Sequence, residues 1–387
     1  MRASTDRILT THVGALPAPP DLIGNPNVSD QRLKEAVRDV VRFQQEAGVD
    51  IVNEGELTKS GNWVQYVNDR LTGFTPRESG ATAALLVESA DWKDFSDFYK
   101  AAMEGGTLFE QTHTAPNQTR TMDWDCTGPI TYCGQEALQR EIELLKGALG
   151  DTPPGDAFLT STAPASIEPG RQNDYYATQE EFVTAIAEAL SVEYETIAKA
   201  GLMVQVDDAW LAALWDRIGI PMGLDAYKRY CMMRVEALNH ALRNVPEEQV
   251  RYHLCWGSWH GPHSHDIPLP DIVDVLLSVK AQTYLFEAAN VRHEHEYTVW
   301  ETVKLPDHKI LAPGVVSHAT TLIEHPELVS SRIQRFANIV GRERVVGSTD
   351  CGLGLRCHPQ IAWAKLKALS EGAALASQAL WKQGAAA

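Results

Sequence analysis

The chain is poor in positive charge. Its 34 Lys and Arg stand against 51 Asp and Glu, a formal net charge of −17. Phosphate backbones and anionic lipid surfaces are met with basic patches, so neither nucleic acid nor a membrane surface is expected as a partner. Long apolar runs are also missing. None approaches the ~20 residues that span a bilayer, and Met1-Arg2-Ala3-Ser4-Thr5-Asp6 holds no apolar signal region. Cysteine is sparse: Cys126, Cys133, Cys231, Cys255, Cys351 and Cys357 show no compact disulfide spacing. A chain of 387 residues needs no such staples. A reducing cytoplasm is the expected compartment, and it would keep thiols available. No glycine-rich phosphate fingerprint follows the first strand-like segment, which counts against a dinucleotide-binding sheet. Internal repeats and low-complexity segments are lacking too.

What remains, 44% hydrophobic and 22% charged, is an ordinary globular composition. Strand-like and helix-like segments alternate. Strands are expected at 7–13, 49–53, 156–162, 202–206, 250–255, 281–287, 308–311 and 344–348. Helices are expected at 31–47, 178–200, 224–243, 270–280, 324–340 and 361–382, the second opened by Thr178 with Glu181 three residues on and closed by Gly201. Such alternation implies a parallel sheet, and eight strands favour a closed (β/α)₈ barrel over an open sheet. Residues 1–387 then form one barrel. Residues 60–154, with Trp63, Trp92, Phe95, Phe98, Tyr99, Trp124, Tyr132 and a helix at 135–147, interrupt it between the second and third strands. A connection this long is usually functional, and it is expected to cover the barrel mouth.

Chemistry concentrates where three of these strands end. His253 and Cys255 are two apart and project from one face of one strand. Glu287 follows Cys255 by 32 residues, and Cys351 follows Glu287 by 64. One βα unit of such a barrel takes roughly 30 residues, which places the three segments on strands 5, 6 and 8 at their C-terminal ends. A His, a Glu and two thiolates suit Zn²⁺. Zinc so held is an apt Lewis acid for lowering the pKa of a substrate thiol.

These segments carry a resemblance. Asp50-Ile51-Val52-Asn53-Glu54-Gly55-Glu56, Val204-Gln205-Val206-Asp207, His253-Leu254-Cys255, Phe286-Glu287-Ala288, Pro313-Gly314-Val315 with His318, and Thr349-Asp350-Cys351-Gly352 resemble the catalytic barrel of the cobalamin-independent methionine synthase family. The likeness runs from Thr10-Thr11-His12-Val13-Gly14 to Leu353. It implies a TIM barrel of the methionine synthase/uroporphyrinogen decarboxylase-like type, and zinc on His253, Cys255, Glu287 and Cys351. It implies that Glu56 and Asp207 hold the amino group of homocysteine, two carboxylates facing one ammonium. His12 is placed with this substrate-binding set. His318 matches a histidine that delivers a proton to the leaving group. Asp350 is positioned to orient a zinc ligand or His318. Tyr175 and Tyr176 fall where the family stacks an aromatic ring on a pterin; lid or core packing is the other reading. Ala15 stands where the family has a carboxylate-binding serine, so a backbone N–H would have to serve.

The reading is a zinc-dependent thiol S-alkyltransferase with a small-molecule thiol acceptor and an alkyl donor. Its leading version is methyl transfer from a folate-type or other donor to homocysteine, giving methionine. Full-length members carry a second barrel that this chain lacks. Its single-barrel relatives include epoxyalkane:coenzyme M transferases, so epoxide opening by coenzyme M or another thiol is the alternative. A zinc hydrolase is a second alternative, disfavoured because two thiolates make zinc-bound water less acidic; a structural zinc protein is a third. His260, His263, His265, His293 and His295 follow the fifth and sixth strands. They are open to four roles: binding an acidic substrate group, orientation of the zinc ligands, a second metal site, or plain loop packing, the last being the expected one.

Overall fold

A computed structural model describes residues 1–382 apart from 26, 60–64, 79–88, 108–121 and 355. Trp63 and the tail at 385–387 lie outside the described residues. Seven parallel strands carry the barrel: β1 (Leu9–Thr10), β4 (Phe158–Thr162), β5 (Met203–Asp208), β6 (Val250–Leu254), β7 (Thr283–Glu287), β8 (Ile310–Val316) and β9 (Val346–Thr349). They run in the order β1-β9-β8-β7-β6-β5-β4. Between β1 and β4 the circle closes through 49–53. Asp50 and Ile51 donate their N–H groups to the Thr10 carbonyl at 3.1 Å, while Val52 bridges Ala157 and accepts from the Phe158 N–H at 3.0 Å.

The sequence predicts a full strand at 49–53, and the structure keeps only that bridge. The reason lies in side chains that replace ladder partners. The Asp50 carboxylate accepts from the Thr10 N–H at 2.9 Å, and Gln44, from the helix Asp30–Glu46, bonds both the N–H and the carbonyl of Asn53. β8 differs in the other direction. Expected at 308–311, it continues through Pro313-Gly314 to Val316, with a register shift between Gly314 and Val316. A bulge tolerates the proline's missing donor, and Gly314 lies so flush against Asp350 that any Cβ would collide with it.

Strand alternation divides two cores. Val250, Tyr252 and Leu254 join the large outer core under the helices. Leu9, Ile51, Phe158, Met203, Leu285, Ile310, Ala312 and Val346 fill the barrel interior. Arg251 is buried among them, bonded to Thr11 Oγ1 at 3.0 Å and the His12 carbonyl at 2.9 Å, its guanidinium 3.8 Å over the Phe158 ring. Burial pushes it down to about 9, against the pull of Asp207. The helix Gln179–Lys199 starts as expected, with Thr178 Oγ1 accepting from the Glu181 N–H and Glu181 reaching back to the Ala177 N–H. No described helix is long and apolar enough to cross a membrane.

The 60–154 excursion contains an antiparallel pair, β2 (Phe74–Glu78) with β3 (Met122–Cys126), and the helices Ala90–Asp94, Ser96–Glu104 and Gln135–Ala148. Arg70 ties it to the barrel. Its guanidinium bonds Glu141 and Glu193, and Glu193 also accepts from Tyr66, Tyr132 and Ser161 of β4. All of these groups are buried. Arg70→Ala would leave two carboxylates uncompensated, and breaking a buried pair this way costs about 3–5 kcal/mol. The expected result is a clear fall in denaturation midpoint by urea titration. A change below about 1 kcal/mol would mean that water reaches the cluster.

Candidate metal centre

Period-two alternation sends His253 inward from β6. Cys255 follows one residue past the strand end, its N–H still on the Asp208 carbonyl at 3.1 Å. Cys351 lies two residues beyond β9. Donor atoms of His253, Cys255 and Cys351 fall within 4.8 Å of one another. The two sulfurs are 4.0 Å apart; two thiolates on a tetrahedral zinc at ≈ 2.3 Å would be about 3.8 Å apart. The register pairs Asp207 with His253, and the Asp207 Oδ1 binds His253 Nδ1 at 2.9 Å. Nε2 is left buried, with no hydrogen-bond partner among the described residues. A carboxylate on one ring nitrogen with the other free is the arrangement of a metal-binding histidine. The donor set therefore fits zinc.

Burial alone would lower His253, but its bond to Asp207 and the nearby Cys351 charge carry it up to about 9. The hydrogen bond from Cys255 brings Cys351 down to about 6 against burial, and the same bond together with burial pushes Cys255 up. The Gly257 N–H donates to Cys255 Sγ at 3.3 Å, and Ser258 Oγ lies 3.7 Å from Cys351 Sγ.

Glu287 stands apart from this nest. It forms a second group with His318 and Asp350, whose donor atoms also lie within 4.8 Å of one another. Its Oε1 accepts weakly from the Trp256 N–H at 3.4 Å, and its Oε2 accepts from Asn290 Nδ2 at 2.7 Å. Asp350 Oδ1 takes the N–H groups of Ala288 and Ala289 at 2.8 and 2.9 Å. Asp350 Oδ2 and His318 Nδ1 are buried without partners among the described residues. Burial first, then Arg356 and the neighbouring histidines, hold His318 well below its ordinary range; burial and Glu287 push Asp350 up.

Beside the nest stand Glu56 and Asp207, both buried. Glu56 sits at φ 58°, a left-handed conformation that costs an L residue of order 1–3 kcal/mol and marks functional sites. Gly14, at φ +146°, makes room for it: a Cβ there would lie 2.5 Å from Glu56 Oε1 and 2.8 Å from Thr160 Cγ2. Burial, opposed by Lys59 and aided by Asp207, raises Glu56 to about 8. Asp207 Oδ1 takes Gln205 Nε2 at 2.9 Å besides the histidine.

The remaining predicted residues divide. Both nitrogens of His12 are engaged inside the protein, Nε2 with Gln44 at 2.8 Å and Nδ1 with the Gly14 N–H at 3.2 Å. Its ring shapes the Gly14 turn. Tyr176 stacks on Phe182 and accepts from the Ile130 N–H, while Tyr175 is 52% exposed. His263 and His293 are buried, His265 pairs with Asp94 at 2.7 Å, and His295 is exposed. None of the five extra histidines joins a three-donor group among the described residues.

Sequence reasoning did not single out Lys59, Asn290 or Arg356. Lys59 is buried and bonds Thr160 Oγ1 at 2.6 Å. Arg356 lies close enough to Cys351 and Cys255 for their charges to act on it. Asn290, three residues after Glu287 at a strand end, was the one with a readable signal.

Fold and site together define a (β/α)₈ barrel with a thiol-rich donor nest at the mouth where such barrels do chemistry. The chain belongs to the cobalamin-independent synthase catalytic-domain family, whose model matches residues 162–374. It is 22% identical over 386 residues to a methionine synthase of Thermococcus kodakarensis, covering 97% of this chain and 95% of that one. It is also 22% identical over 388 residues to a methionine synthase of Saccharolobus islandicus, with 97% and 96% covered. A B12-independent methionine synthase from Shewanella sp. W3-18-1, solved with selenomethionine, shares the fold. The TM-score is 0.72 at 18% identity, over 97% of this chain and 99% of that one.

Proposed function

We propose that this chain is a zinc-dependent thiol S-methyltransferase acting on homocysteine. The observation that carries the reading is the nest of His253 Nε2, buried and unpartnered, beside two sulfurs 4.0 Å apart. The methionine synthases it resembles over nearly their whole length support homocysteine as acceptor. His253, Cys255 and Cys351 would hold the zinc, with Glu287 as the displaceable fourth ligand. When bound, zinc supplies the Lewis acidity that keeps an acceptor thiol ionised near neutral pH. The chain's own residues do the rest. Glu56 and Asp207 hold the ammonium and aim the sulfur. The thiol proton passes by way of His318 Nδ1, which is buried without a partner among the described residues and, held well below its ordinary range, gives the proton up readily. As the new S–C bond forms and the donor's bond to that carbon breaks, His318 returns the proton to the leaving group. Asp350 orients Glu287 by fixing the turn behind it through the Ala288 and Ala289 N–H groups. Tyr175 is the ring left available to stack on a planar donor.

The described part of the 60–154 excursion would act as a cover of the barrel mouth. Tyr99 accepts from Trp259 Nε1 at 3.1 Å, and Asp91 takes the N–H groups of His263 and Ser264, so excursion helices sit on the loop that follows Cys255. Such a cover excludes water from an ionised thiol.

A specific observation favours a second acceptor class. Lys59 already places a buried ammonium near Glu56, and Ala15 offers no side-chain hydroxyl for a carboxylate. An amino-free thiol such as coenzyme M, with an epoxide as electrophile, fits those two facts. Homocysteine and 4-mercaptobutyrate, which differ only by the amino group, separate the readings. A site built to bond an NH group rejects the analogue lacking it strongly, so homocysteine should show at least about 100-fold higher kcat/KM. Equal or better use of the amino-free thiol would overturn homocysteine as acceptor. Turnover without any thiol would overturn the transferase itself.

A further inference from the structure

The loops after β6 and β7 are joined by a buried string of four ionisable side chains. His293 Nδ1 meets Glu296 Oε2 at 2.8 Å, and its Nε2 meets Asp266 Oδ2 at 3.2 Å. Asp266 also takes His263 Nδ1 at 3.1 Å, and His263 Nε2 meets the Trp259 carbonyl at 3.1 Å. The far end is fixed as well, since Glu296 Oε1 accepts from the Leu269 N–H at 2.9 Å. Each ring nitrogen of both histidines faces an acceptor, the arrangement that favours imidazolium at both rings. Two cations then alternate with two carboxylates. Tryptophans cover both rings: Trp256 lies over His293 with centroids 4.3 Å apart, and Trp259 over His263 at 4.1 Å.

The string ends against Glu287 through two supports. Trp256, whose ring rests on His293, gives Glu287 Oε1 its backbone N–H. Asn290, whose amide holds Glu287 Oε2, has its carbonyl bonded by the His293 N–H at 2.9 Å. We propose that His293 is a positioning residue, clamped between Asp266 and Glu296 so that Trp256 and Asn290 hold Glu287 at the edge of the donor nest. The proposal rests on Glu287 being the displaceable metal ligand. Apolar residues of the same volume would join two loops at least as stably, because burying charges is costly even when they are paired. A bonded string does what apolar packing does not, which is to fix ring orientation at both nitrogens. Its effect is to restrain Glu287 without bonding it, leaving the carboxylate free to leave its ligand position when a thiol arrives.

The test is zinc affinity by chelator competition on the purified full chain, with melting temperature measured alongside. Partners that orient metal ligands typically weaken metal binding 10–100-fold when removed. His293→Gln should weaken zinc binding by about that factor. Asp266→Asn should do the same, and the double variant should be no worse than either single one, since both break one string. Glu296→Gln keeps the acceptor for Leu269 and therefore the loop fold; it should weaken zinc binding about 10-fold, a milder effect in the range expected of such partners. In the metal-free protein, nitrogen-15 spectra should show both His293 ring nitrogens protonated at pH 8. Wild-type zinc affinity in His293→Gln, or additive losses in the double variant, would overturn the clamp. Cys351→Ser serves as the separate control: if it keeps full zinc, the metal reading itself has failed.

Discussion

Cys351→Ser is expected to take the protein from about one zinc per chain to less than about a tenth, with the barrel still folded. Among the described residues three donors form the tight nest, and Glu287 stands in the neighbouring group. Losing one leaves a histidine, a thiol and a set-back carboxylate, too few to hold zinc against dilution. The thiolate at stake is also the better one, because Cys351 lies near 6 while Cys255 is pushed up. The fold should survive, since Cys351 is only partly buried at the mouth and belongs to neither apolar core. Elemental analysis together with a thermal melt reads both halves. Full zinc in the variant would remove Cys351 from the ligand set; loss of the melt would mean that the site also holds the barrel together.

Glu56→Gln is expected to lower kcat/KM for homocysteine about 100-fold, nearly all of it in KM. A bound ammonium draws off the Glu56 proton, so a charged hydrogen-bonding partner is lost from a desolvated ammonium site, which is worth roughly 2–3 kcal/mol. Asp207→Asn is a poorer probe, because it also disturbs the acceptor that fixes His253. Stability should move the other way. Glu56 is raised to about 8, chiefly by burial, from an unfolded value of ≈ 4.3. The folded state therefore binds more protons than the unfolded chain between those values, and stability falls as pH rises through that window. Glutamine removes this loss. The variant should equal or exceed the parent in melting temperature at pH 8 while binding substrate worse. Reduced stability at pH 8 would mean that Lys59 already compensates the carboxylate fully. An unchanged KM would place the ammonium elsewhere.

Several features were written in the sequence because they follow from local periods. Alternation with period two puts His253 and Cys255 on one face. The roughly 30-residue βα repeat puts Cys255, Glu287 and Cys351 at one end of the barrel. Thr178 with Glu181 predicts a helix start that the structure reproduces. Each of these depends only on chain geometry and on residues close in sequence.

Other features depend on what lies across from a residue, and only the tertiary structure decided them. Segment 49–53 reads as a strand, yet Gln44 and Asp50 take the bonds its neighbours would have made. β8 reads as ending before Pro313, yet the close approach of Gly314 to Asp350 carries the ladder on to Val316. The register of β5 against β6 puts Asp207 on His253, which frees Nε2 for the nest. Glu287 was placed correctly at its strand end, but which donors it groups with depends on how the loops after β7, β8 and β9 fold back. The histidines after β6 and β7 have no local period to betray them; they meet because Asp266 lies between two loops. Patterns within one strand or helix are set by backbone periodicity. Pairings between elements are set by register and packing, and a single sequence does not display either.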